Sequence, residues 1–426
     1  MDLYLGIDFG TSGARAIAID QAGKIRATQK LNYNINAAIS WRDSLYALIV
    51  ALPIEIRQNI NAIAIDATSA TVLIGDRDGK PIGEPILYHD PRGASSLEKL
   101  RQIVPDREHL VLSATSSLAK LVWWLAHNSQ SQPEAYLMHQ ADWLAYWLHG
   151  RLGVSDYNNT LKLGYDAERL QYPDWLEDWR SQHAPRIYLP KVVAPGKAIG
   201  KILPEVAAKL DLNRDCLVCA GTTDSTAAFL ACLGNEPPKA GIAVTSLGST
   251  LTIKVLANRP IANLASGIYS HRLGDLWLVG GASNTGGAVL RQFFSDAELQ
   301  AYSDRINPDI PSPLDYYPLP AQGDRFPIND PLLEPRLEPR PTDPAAFLNG
   351  LLEGIAAIEA LGYNVLAELG AQATLVYTAG GGAQNQTWRR IRARKLGLPI
   401  VVAAQTEFSF GAAYGAAILA LQGAGV

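Results

Sequence analysis

The sequence GIDFGTSGAR, from Gly6 to Arg15, joins one apolar segment to a turn and then to a second apolar segment. The first segment carries Asp8, and the turn contains two glycines and two hydroxyl residues: Gly10, Thr11, Ser12 and Gly13. Glycines let backbone N–H groups converge on an anion, and hydroxyl groups add donors. Asp8 would repel a phosphate unless a cation such as Mg²⁺, which prefers oxygen ligands, lies between them. The stretch therefore indicates either a hairpin with a polar tip or a phosphate-and-metal site.

Length and composition are typical of a soluble protein with two domains. The chain has 426 residues, of which 48% are hydrophobic and 18% charged, and its net charge is −4. The only basic run, RRIRARK from Arg389 to Lys395, has a pattern typical of a solvated helix face. The N-terminus lacks the basic region of a signal peptide, and no apolar run has the length of a membrane span. We therefore expect a cytoplasmic enzyme with small-molecule partners, and neither nucleic acid nor membrane as a partner.

Short β-rich runs alternate with helical runs along the chain, which predicts an α/β fold. After the first strands we expect a helix from Trp41 to Gln58, and then the strand AIAIDATSATVLI, which carries Asp66, Thr68 and Ser69. The stretch AVTSLGSTLTIKV, from Ala243 to Val255, repeats the strand–turn–strand pattern of the first stretch. The sequence therefore predicts a duplicated α/β unit whose halves face each other across a cleft.

A second glycine- and hydroxyl-rich turn occurs in CAGTTDSTAAFLACLG, from Cys219 to Gly234. An apolar strand ends at Gly221, and Thr222 or Thr223 could cap the helix that follows. Asp224 then lies in the first helical turn, where the helix dipole favours a carboxylate in any case. Asp224 is therefore either a helix-start residue or a general base for phosphoryl transfer.

Two further turns follow strands later in the chain. TSLGSTLTI, from Thr245 to Ile253, is suited to hold a β- or γ-phosphate. YTAGGGAQNQTW, from Tyr377 to Trp388, has three glycines that allow close approach of a flat ligand, and the face of Trp388 could stack on a base. The alternatives are a flexible loop and a core tryptophan.

Taken in order, DFGTSGAR, AGTTDS, LGST and TAGGGAQN resemble the phosphate-1, catalytic-base, phosphate-2 and adenosine motifs of the FGGY carbohydrate kinases. YYPLPAQGDRFPINDP, from Tyr316 to Pro331, and FLNGLLEGIA, from Phe347 to Ala356, are similar to further segments of that family. The resemblance implies two ribonuclease H-like domains, each a βββαβαβα unit. We expect the N-terminal domain, with the sugar site, over residues 1–234 and the ATP-binding domain over residues 235–426.

The resemblance also implies ATP and Mg²⁺ and assigns roles to residues. Asp8 would bind Mg²⁺ directly or through water, Thr11 and Ser12 would contact the transferring phosphate, and Asp224 would be the base. The expected ATP-phosphate residues are Gly248, Ser249 and Thr250. The expected adenosine residues are Gly381, Gly382, Asn385 and Trp388. The expected sugar contacts, besides Asp8 and Asp224, are Gly13, Arg15 and Ser69.

Within the family, the chain is most similar to the short plant and cyanobacterial type associated with ribulose phosphorylation. This similarity implies a kinase, acting as a monomer or weak dimer, that phosphorylates the C5 hydroxyl of D-ribulose first, and D-xylulose or another polyol second. Xylulose kinases of the family usually carry Gln-Met-His-Gly, and glycerol kinases Arg-Glu, where this chain has ATSATV. Two alternatives of another class are a chaperone- or actin-like ATPase and a sugar-sensing binding protein.

Overall fold

The apolar segments on either side of the first turn form an antiparallel pair in the computed structural model, which describes residues 1–11, 13–128, 134–403 and 411–425. These strands are β1 (Leu3–Gly10) and β2 (Gly13–Asp20), with Gly10 opposite Gly13. Strands β1 and β2 are therefore the two arms of a hairpin. A hairpin and a phosphate-binding turn are compatible, so this backbone does not decide between the two hypotheses.

Residue contacts divide the chain into two compact units. Unit 1 comprises Met1–Asn235 and Ser409–Val426, and unit 2 comprises Glu236–Phe408. The last segment of the chain thus returns to unit 1, whereas the sequence analysis placed it with the C-terminal domain. Each unit has its own sheet and its own hydrophobic core.

The main sheet of unit 1 has six strands in the order β10-β11-β4-β1-β2-β3. Strands β1, β2 and β3 are antiparallel neighbours, whereas β4 and β11 run parallel to β1. Besides β1 and β2, its strands are β3 (Ile25–Leu31), β4 (Ile60–Ala67), β10 (Ala198–Lys201) and β11 (Leu217–Cys219).

Unit 1 also has two smaller sheets, with the strand orders β5-β6-β8 and β7-β9. The remaining strands are β5 (Val72–Gly75), β6 (Ala135–His139), β7 (Val154–Asp156), β8 (Ile187–Tyr188) and β9 (Lys191–Val193). The helices are α1 (Ala38–Val50), α2 (Ile54–Arg57), α3 (Leu97–Ile103), α4 (Ser117–His127), α5 (Gln140–His149), α6 (Asp174–His183), α7 (Pro204–Leu210), α8 (Asp224–Leu233) and α13 (Gly411–Gly423).

Unit 2 repeats the arrangement with the strand order β14-β15-β13-β12-β16-β17. Its strands are β12 (Ile242–Leu247), β13 (Leu251–Ala257), β14 (Tyr269–Leu273), β15 (Leu276–Ser283), β16 (Leu375–Ala379) and β17 (Ile400–Val402). Its helices are α9 (Gly287–Arg291), α10 (Asp296–Ser303), α11 (Pro344–Glu368) and α12 (Gln386–Leu396). In unit 1, β1 lies between the antiparallel β2 and the parallel β4, and in unit 2, β12 lies between the antiparallel β13 and the parallel β16. This shared arrangement confirms the predicted duplicated α/β fold.

Small residues bring α13 into direct contact with the sheet of unit 1. A Cβ atom on Gly6 would lie 2.0 Å from the carbonyl oxygen of Ala413 and 2.1 Å from the amide nitrogen of Ala417. A Cβ atom on Gly415 would lie 1.8 Å from the carbonyl oxygen of Ala227 in α8. Only glycine at these two positions allows the backbones to approach so closely.

Two helices differ from the sequence expectation. The helix predicted from Trp41 to Gln58 is divided into α1 and α2, because Pro53 lies between them and cannot continue the first helix. Helix α11 is long and apolar enough to cross a membrane, contrary to the expectation that no segment is. In the most apolar 18-residue stretch of α11, 72% of the residues are buried inside unit 2, as in the core helix of a water-soluble domain.

Candidate active site

Asp8, Asp66 and Asp224 lie at or just after the carboxyl ends of neighbouring parallel strands of unit 1. We call this side of the sheet the carboxylate edge. Asp8 lies near the end of β1, and in the strand register it is flanked by Arg15 on β2 and Asp66 on β4. Thr223 pairs with Ala67 at the end of β4, which places Asp224, the first residue of α8, beyond the same edge. Parallel strands bring their carboxyl ends to one edge, so the sheet gathers Asp8, Asp66 and Asp224.

Only some of the polar side-chain atoms of Arg15, Asp8 and Asp66 form hydrogen bonds. A terminal nitrogen of Arg15 donates to Oδ2 of Asp8 at 2.9 Å. Oδ1 of Asp8 and both carboxylate oxygens of Asp66 are buried and accept no hydrogen bond from an N–H or hydroxyl group of the described residues, and the two carboxyl groups can share a hydrogen bond only when one of them is protonated. Buried polar atoms are nearly always satisfied, so this edge is poised to accept a cation, a proton or a polar ligand.

Burial and mutual repulsion change the protonation of these groups. Burial and, second, the charge of Asp224 raise the pKa of Asp8 to about 6, although Arg15 opposes both effects. Burial also raises the pKa of Asp66 well above its usual value, with additional repulsion from Asp8 and Asp224. Asp66 was noted in the sequence but given no role, because only the pairing of β4 with β1 places it beside Asp8.

Asp224 is half-buried at the start of α8. Thr223 occupies the N-cap position, but its side chain makes no capping hydrogen bond. The Oδ1 atom of Asp224 accepts a hydrogen bond from the backbone N–H of Ser225 at 2.7 Å. Asp224 therefore satisfies the helix-start hypothesis, and its position at the carboxylate edge also allows it to act as a base.

The residues at this edge fit a magnesium ion held mainly by its substrate. No group of three or more His, Cys, Asp or Glu side chains that could hold a metal occurs in the described part of the chain. Mg²⁺ in phosphoryl-transfer sites keeps several waters and uses one or two carboxylates together with substrate phosphates. The Oδ1 atom of Asp8 is an oxygen donor of this kind.

The first turn needs glycine at its end. Gly13 has a φ of +144°, and a Cβ atom there would lie 2.9 Å from the carbonyl oxygen of Leu31. The hydroxyl group of Tyr33 donates to the carbonyl oxygen of Gly10 at 2.8 Å, which anchors the other end. Thr11 is exposed between them, and Ser12 lies outside the described residues. The turn is thus held at both ends while Thr11 remains open to solvent.

The loop after β4 carries the third candidate sugar contact, Ser69. Its neighbours Thr68, Ala70 and Thr71 are buried, whereas Ser69 is half-buried. The hydroxyl groups of Thr68 and Thr71 lie 2.6 Å apart, and Thr68 also donates to Gln140 at 3.1 Å. Within this loop, Ser69 is thus the residue most open to a ligand.

In unit 2 the turn between β12 and β13 consists of Gly248, Ser249 and Thr250, and both hydroxyl residues are exposed. The amide of Gly287, the first residue of α9, donates to the carbonyl oxygen of Gly248 at 2.9 Å. A terminal nitrogen of Arg291 donates to Oγ of Ser249 at 3.0 Å. Arg291 was missed in the sequence analysis, because no local pattern connects it with a turn some forty residues earlier.

The glycine-rich stretch after β16 leads into α12. Gly381 is exposed and Gly382 half-buried. Asn385 caps α12 by accepting a hydrogen bond from the amide of Trp388 at 2.9 Å, and its amide group donates to Ser303 at 2.8 Å. The ring of Trp388 is only 2% exposed and packs in the core of unit 2, so the structure gives it no open face for stacking on a base.

A buried ion pair connects the two strands that lead into these turns of unit 2. Arg392 and Glu359 are both fully buried and form two hydrogen bonds, of 2.6 and 2.7 Å. Arg392 also donates to the hydroxyl group of Thr378 on β16, which lies opposite Thr245 on β12. The basic run from Arg389 to Lys395 is therefore not a purely solvated face, because α12 directs Arg392 inward.

Comparison with known proteins places these motifs in a family. The N-terminal domain of the FGGY family of carbohydrate kinases matches residues 3–231, and its C-terminal domain matches residues 243–424. The xylulose kinase of Haemophilus influenzae is 23% identical, with 98% of this chain and 90% of that protein covered. The gluconokinase of Bacillus subtilis is 22% identical, with 99% and 87% covered.

Solved structures show the same fold. A crystal structure of a "xyloylose kinase" from Brucella ovis has a TM-score of 0.83 and 23% identity, and the match covers 99% of this chain and 90% of that one. The Plasmodium falciparum glycerol kinase with ADP has a TM-score of 0.82 and 16% identity, with 99% and 89% covered. Because the two family domains together match almost the whole sequence, the chain belongs to the FGGY family of carbohydrate kinases.

Proposed function

We propose that this carbohydrate kinase transfers the γ-phosphoryl group of ATP to the C5 hydroxyl of a ketopentose. The observation that carries the proposal is the placement of Asp8 and Asp224 at one edge of the unit 1 sheet. D-Xylulose is the first candidate, because several of the relatives are named xylulose kinases. D-Ribulose, which the sequence resemblance favoured, is the second, because those relatives do not point to a ribulokinase specifically.

Asp224 is the proposed general base. Its carboxylate accepts the proton of the C5 hydroxyl while the hydroxyl oxygen attacks the γ-phosphorus, and the bond from that phosphorus to the bridging oxygen of ADP breaks. Phosphoryl transfer requires positioning and charge stabilisation more than covalent catalysis, so a correctly placed carboxylate is sufficient. The half-buried position of Asp224 keeps it reachable by a substrate hydroxyl.

The two glycine- and hydroxyl-rich turns are the proposed phosphate sites. Thr11 and Ser12 would contact the transferring group in unit 1. Gly248, Ser249 and Thr250 would hold ATP phosphates in unit 2, and Arg291 at Ser249 would add a positive charge. Mg²⁺, which Asp8 would bind directly or through water, would neutralise charge on these phosphates.

Adenosine and sugar contacts complete the proposal. Gly381, Gly382 and Asn385 would border the adenosine, while Trp388 supports Gly382 from the core, since a Cβ atom on Gly382 would lie 2.5 Å from its ring. Arg15, Gly13 and Ser69 would contact the sugar. The loop ATSATV keeps D-ribulose in consideration, because it lacks the Gln-Met-His-Gly residues usual in xylulose kinases of the family. A monomeric or weakly dimeric state and a cytoplasmic location belong to the same proposal.

The test is ADP release from MgATP with D-xylulose, D-ribulose, pentitols, glycerol, gluconate and hexoses. We expect one ketopentose to give the highest kcat/KM. Asp224→Asn should lower kcat by about 10²- to 10⁴-fold, the range for loss of a general base. The matched control is Asp215→Asn, which removes an exposed aspartate of the same unit and should leave kcat within about twofold of wild type.

Three results would contradict the proposal. ADP release that no sugar or polyol increases would favour an ATPase, and tight sugar binding without ADP release would favour a sugar sensor. Wild-type turnover in Asp224→Asn would remove this residue from the role of base.

A further inference from the structure

Lys120 is a fully buried lysine whose charge is held by backbone oxygens. It lies on α4 with 0% exposure, and its ammonium group donates to the carbonyl oxygens of Ala70 and Leu87, both at 2.7 Å. The carbonyl oxygen of Tyr88 lies at 3.5 Å. Lys120 forms no ion pair with a carboxylate of the described residues. A buried ammonium group without a contacting carboxylate is costly, so its hydrogen bonds to backbone oxygens must offset that cost.

The burial has a measurable consequence for the lysine. It lowers the pKa of Lys120 to about 7, although the charge of Asp90 opposes this effect. A leucine or methionine would fill the same space without this cost. An ammonium group, in contrast, has three N–H donors that can bind several carbonyl oxygens at once. The three acceptors around Lys120 match that property.

The first segment bound by Lys120 is the loop after β4. Ala70 adopts a left-handed conformation with a φ of +62°, which a non-glycine residue rarely does. The amide of Thr71 donates to the carbonyl oxygen of Thr68 at 3.3 Å, so residues 68–71 form a turn. The hydrogen bond from Lys120 to Ala70 holds this turn at its strained residue and leaves Ser69 as its most accessible member.

The second segment is the short stretch at Leu87 and Tyr88. The amide of Tyr88 donates to the hydroxyl group of Thr71 at 2.9 Å, and Val72 and Ile86 form a pair of backbone hydrogen bonds. Lys120 adds a third connection, because it bonds to both segments at once. The buried ammonium group of Lys120 thus joins the loop that carries Ser69 to the segment at Leu87 and Tyr88.

We propose that Lys120 is a positioning residue for sugar recognition, which fixes residues 68–71 against residues 87–88 so that Ser69 is presented to the sugar. This inference rests on the proposed function in one respect, that the loop after β4 contacts the sugar. It assigns Lys120 no contact with substrate and no part in proton transfer. The effect of losing Lys120 should therefore fall on the KM for the sugar and not on the KM for ATP.

The principal test compares Lys120→Met with wild type in kinetics and in amide hydrogen exchange. We expect the KM for D-xylulose or D-ribulose, whichever the wild type phosphorylates, to rise by about tenfold or more, since small displacements of positioning groups have large effects. The KM for ATP should stay within about twofold. In Lys120→Met, amide exchange at residues 68–72 and 87–90 should be faster than in the wild type, and this increase should be larger there than elsewhere in unit 1.

Two further variants keep the test decisive. Thr71→Val removes the hydroxyl acceptor of Tyr88 without altering the charge, and it should shift the sugar KM and the loop exchange in the same direction but less. Lys99→Met, an exposed lysine of α3, is the matched control and should change neither. If Lys120→Met does not fold, Thr71→Val takes over the decision.

The outcomes separate this inference from the proposed function. Hydrogen exchange needs no substrate, so it tests the fastening of the loop even if the wild type phosphorylates neither ketopentose. Wild-type exchange at residues 68–72 in Lys120→Met, or an unchanged sugar KM with faster loop exchange, would overturn the positioning role. An equal rise in both KM values would also overturn it, because the effect would not be specific to the sugar.

Discussion

Asp66 is a buried carboxylate of unit 1 in unfavourable surroundings. It is fully buried, its carboxylate oxygens accept no hydrogen bond from an N–H or hydroxyl group of the described residues, and Asp8 and Asp224 both repel its charge. A buried carboxylate with a raised pKa destabilises the fold once the unfolded chain has lost its proton. Asp66 is thus a source of instability at the same edge where the proposed site needs its carboxylates.

The raised pKa values of Asp8 and Asp66 predict how the free energy of unfolding changes with pH. Because the folded pKa of Asp8 is about 6 and its ordinary value is 3.8, the unfolded chain releases the proton first. Stability therefore falls as the pH rises from about 4 to about 6, with a cost of roughly 3 kcal/mol for Asp8 above that window. Asp66 contributes in the same direction, since its pKa is also raised.

Asp66→Asn should stabilise the ligand-free protein. It replaces a buried titratable carboxyl group with a neutral amide, whose N–H group can donate to Asp8 at every pH. We expect the free energy of unfolding at about pH 8 to increase by roughly 1 to 3 kcal/mol, and the increase at about pH 4.5 to be smaller. Urea denaturation at the two pH values measures both. Equal stability of variant and wild type at pH 8 would show that Asp66 carries no such penalty.

The close approach of α13 to β1 is a property of two elements and depends on small residues in both. An alanine at position 6 would place its Cβ atom against backbone atoms of Ala413 and Ala417, which cannot rotate away. Gly6→Ala should therefore lower the free energy of unfolding by about 3 kcal/mol, at the upper end of the range for overpacking. Thermal denaturation followed by circular dichroism measures the loss.

The matched control for that variant is on the helix itself. Gly411 lies at the first position of α13, and a Cβ atom there would meet no atom of the described residues within 4 Å. Gly411→Ala should leave stability unchanged or raise it slightly, since alanine favours a helix over glycine. Similar losses in both variants would mean that the effect comes from glycine replacement in general and not from this contact.

Elements also explain how far the site could be predicted from the sequence. Local sequence patterns predict that β1 and β2 are strands and that a helix begins near Asp224. They also predict the turns that carry Gly13 and Gly248. The neighbourhood of Asp8 and Asp66 does not, because it depends on the register between strands some fifty residues apart. Likewise, no local signal separates Arg392 from its exposed neighbours, since its partner Glu359 is on α11.

At the scale of the whole molecule, chain order and spatial order differ at the C-terminus. Residues up to 235 form most of unit 1, the chain then builds unit 2, and α13 returns to unit 1 against β1, β4 and α8. Ile418, Leu419 and Leu421 of α13 are buried. At about 1.5 to 3 kcal/mol for each such side chain, they contribute an amount comparable to the total stability of a domain.

Removal of residues 409–426, the C-terminal part of unit 1, should therefore unfold unit 1 selectively. We expect hydrogen exchange and limited proteolysis to show loss of protection in residues 1–235, while β12, β13 and β16 of unit 2 keep theirs, because α13 belongs to unit 1 and packs on β1, β4 and α8. A shorter truncation after Gly423 retains the whole helix and is the control. Retained protection of β1 and β4 in the longer truncation would mean that the sheet of unit 1 is stable without α13, and that the close packing at Gly6 is dispensable for folding.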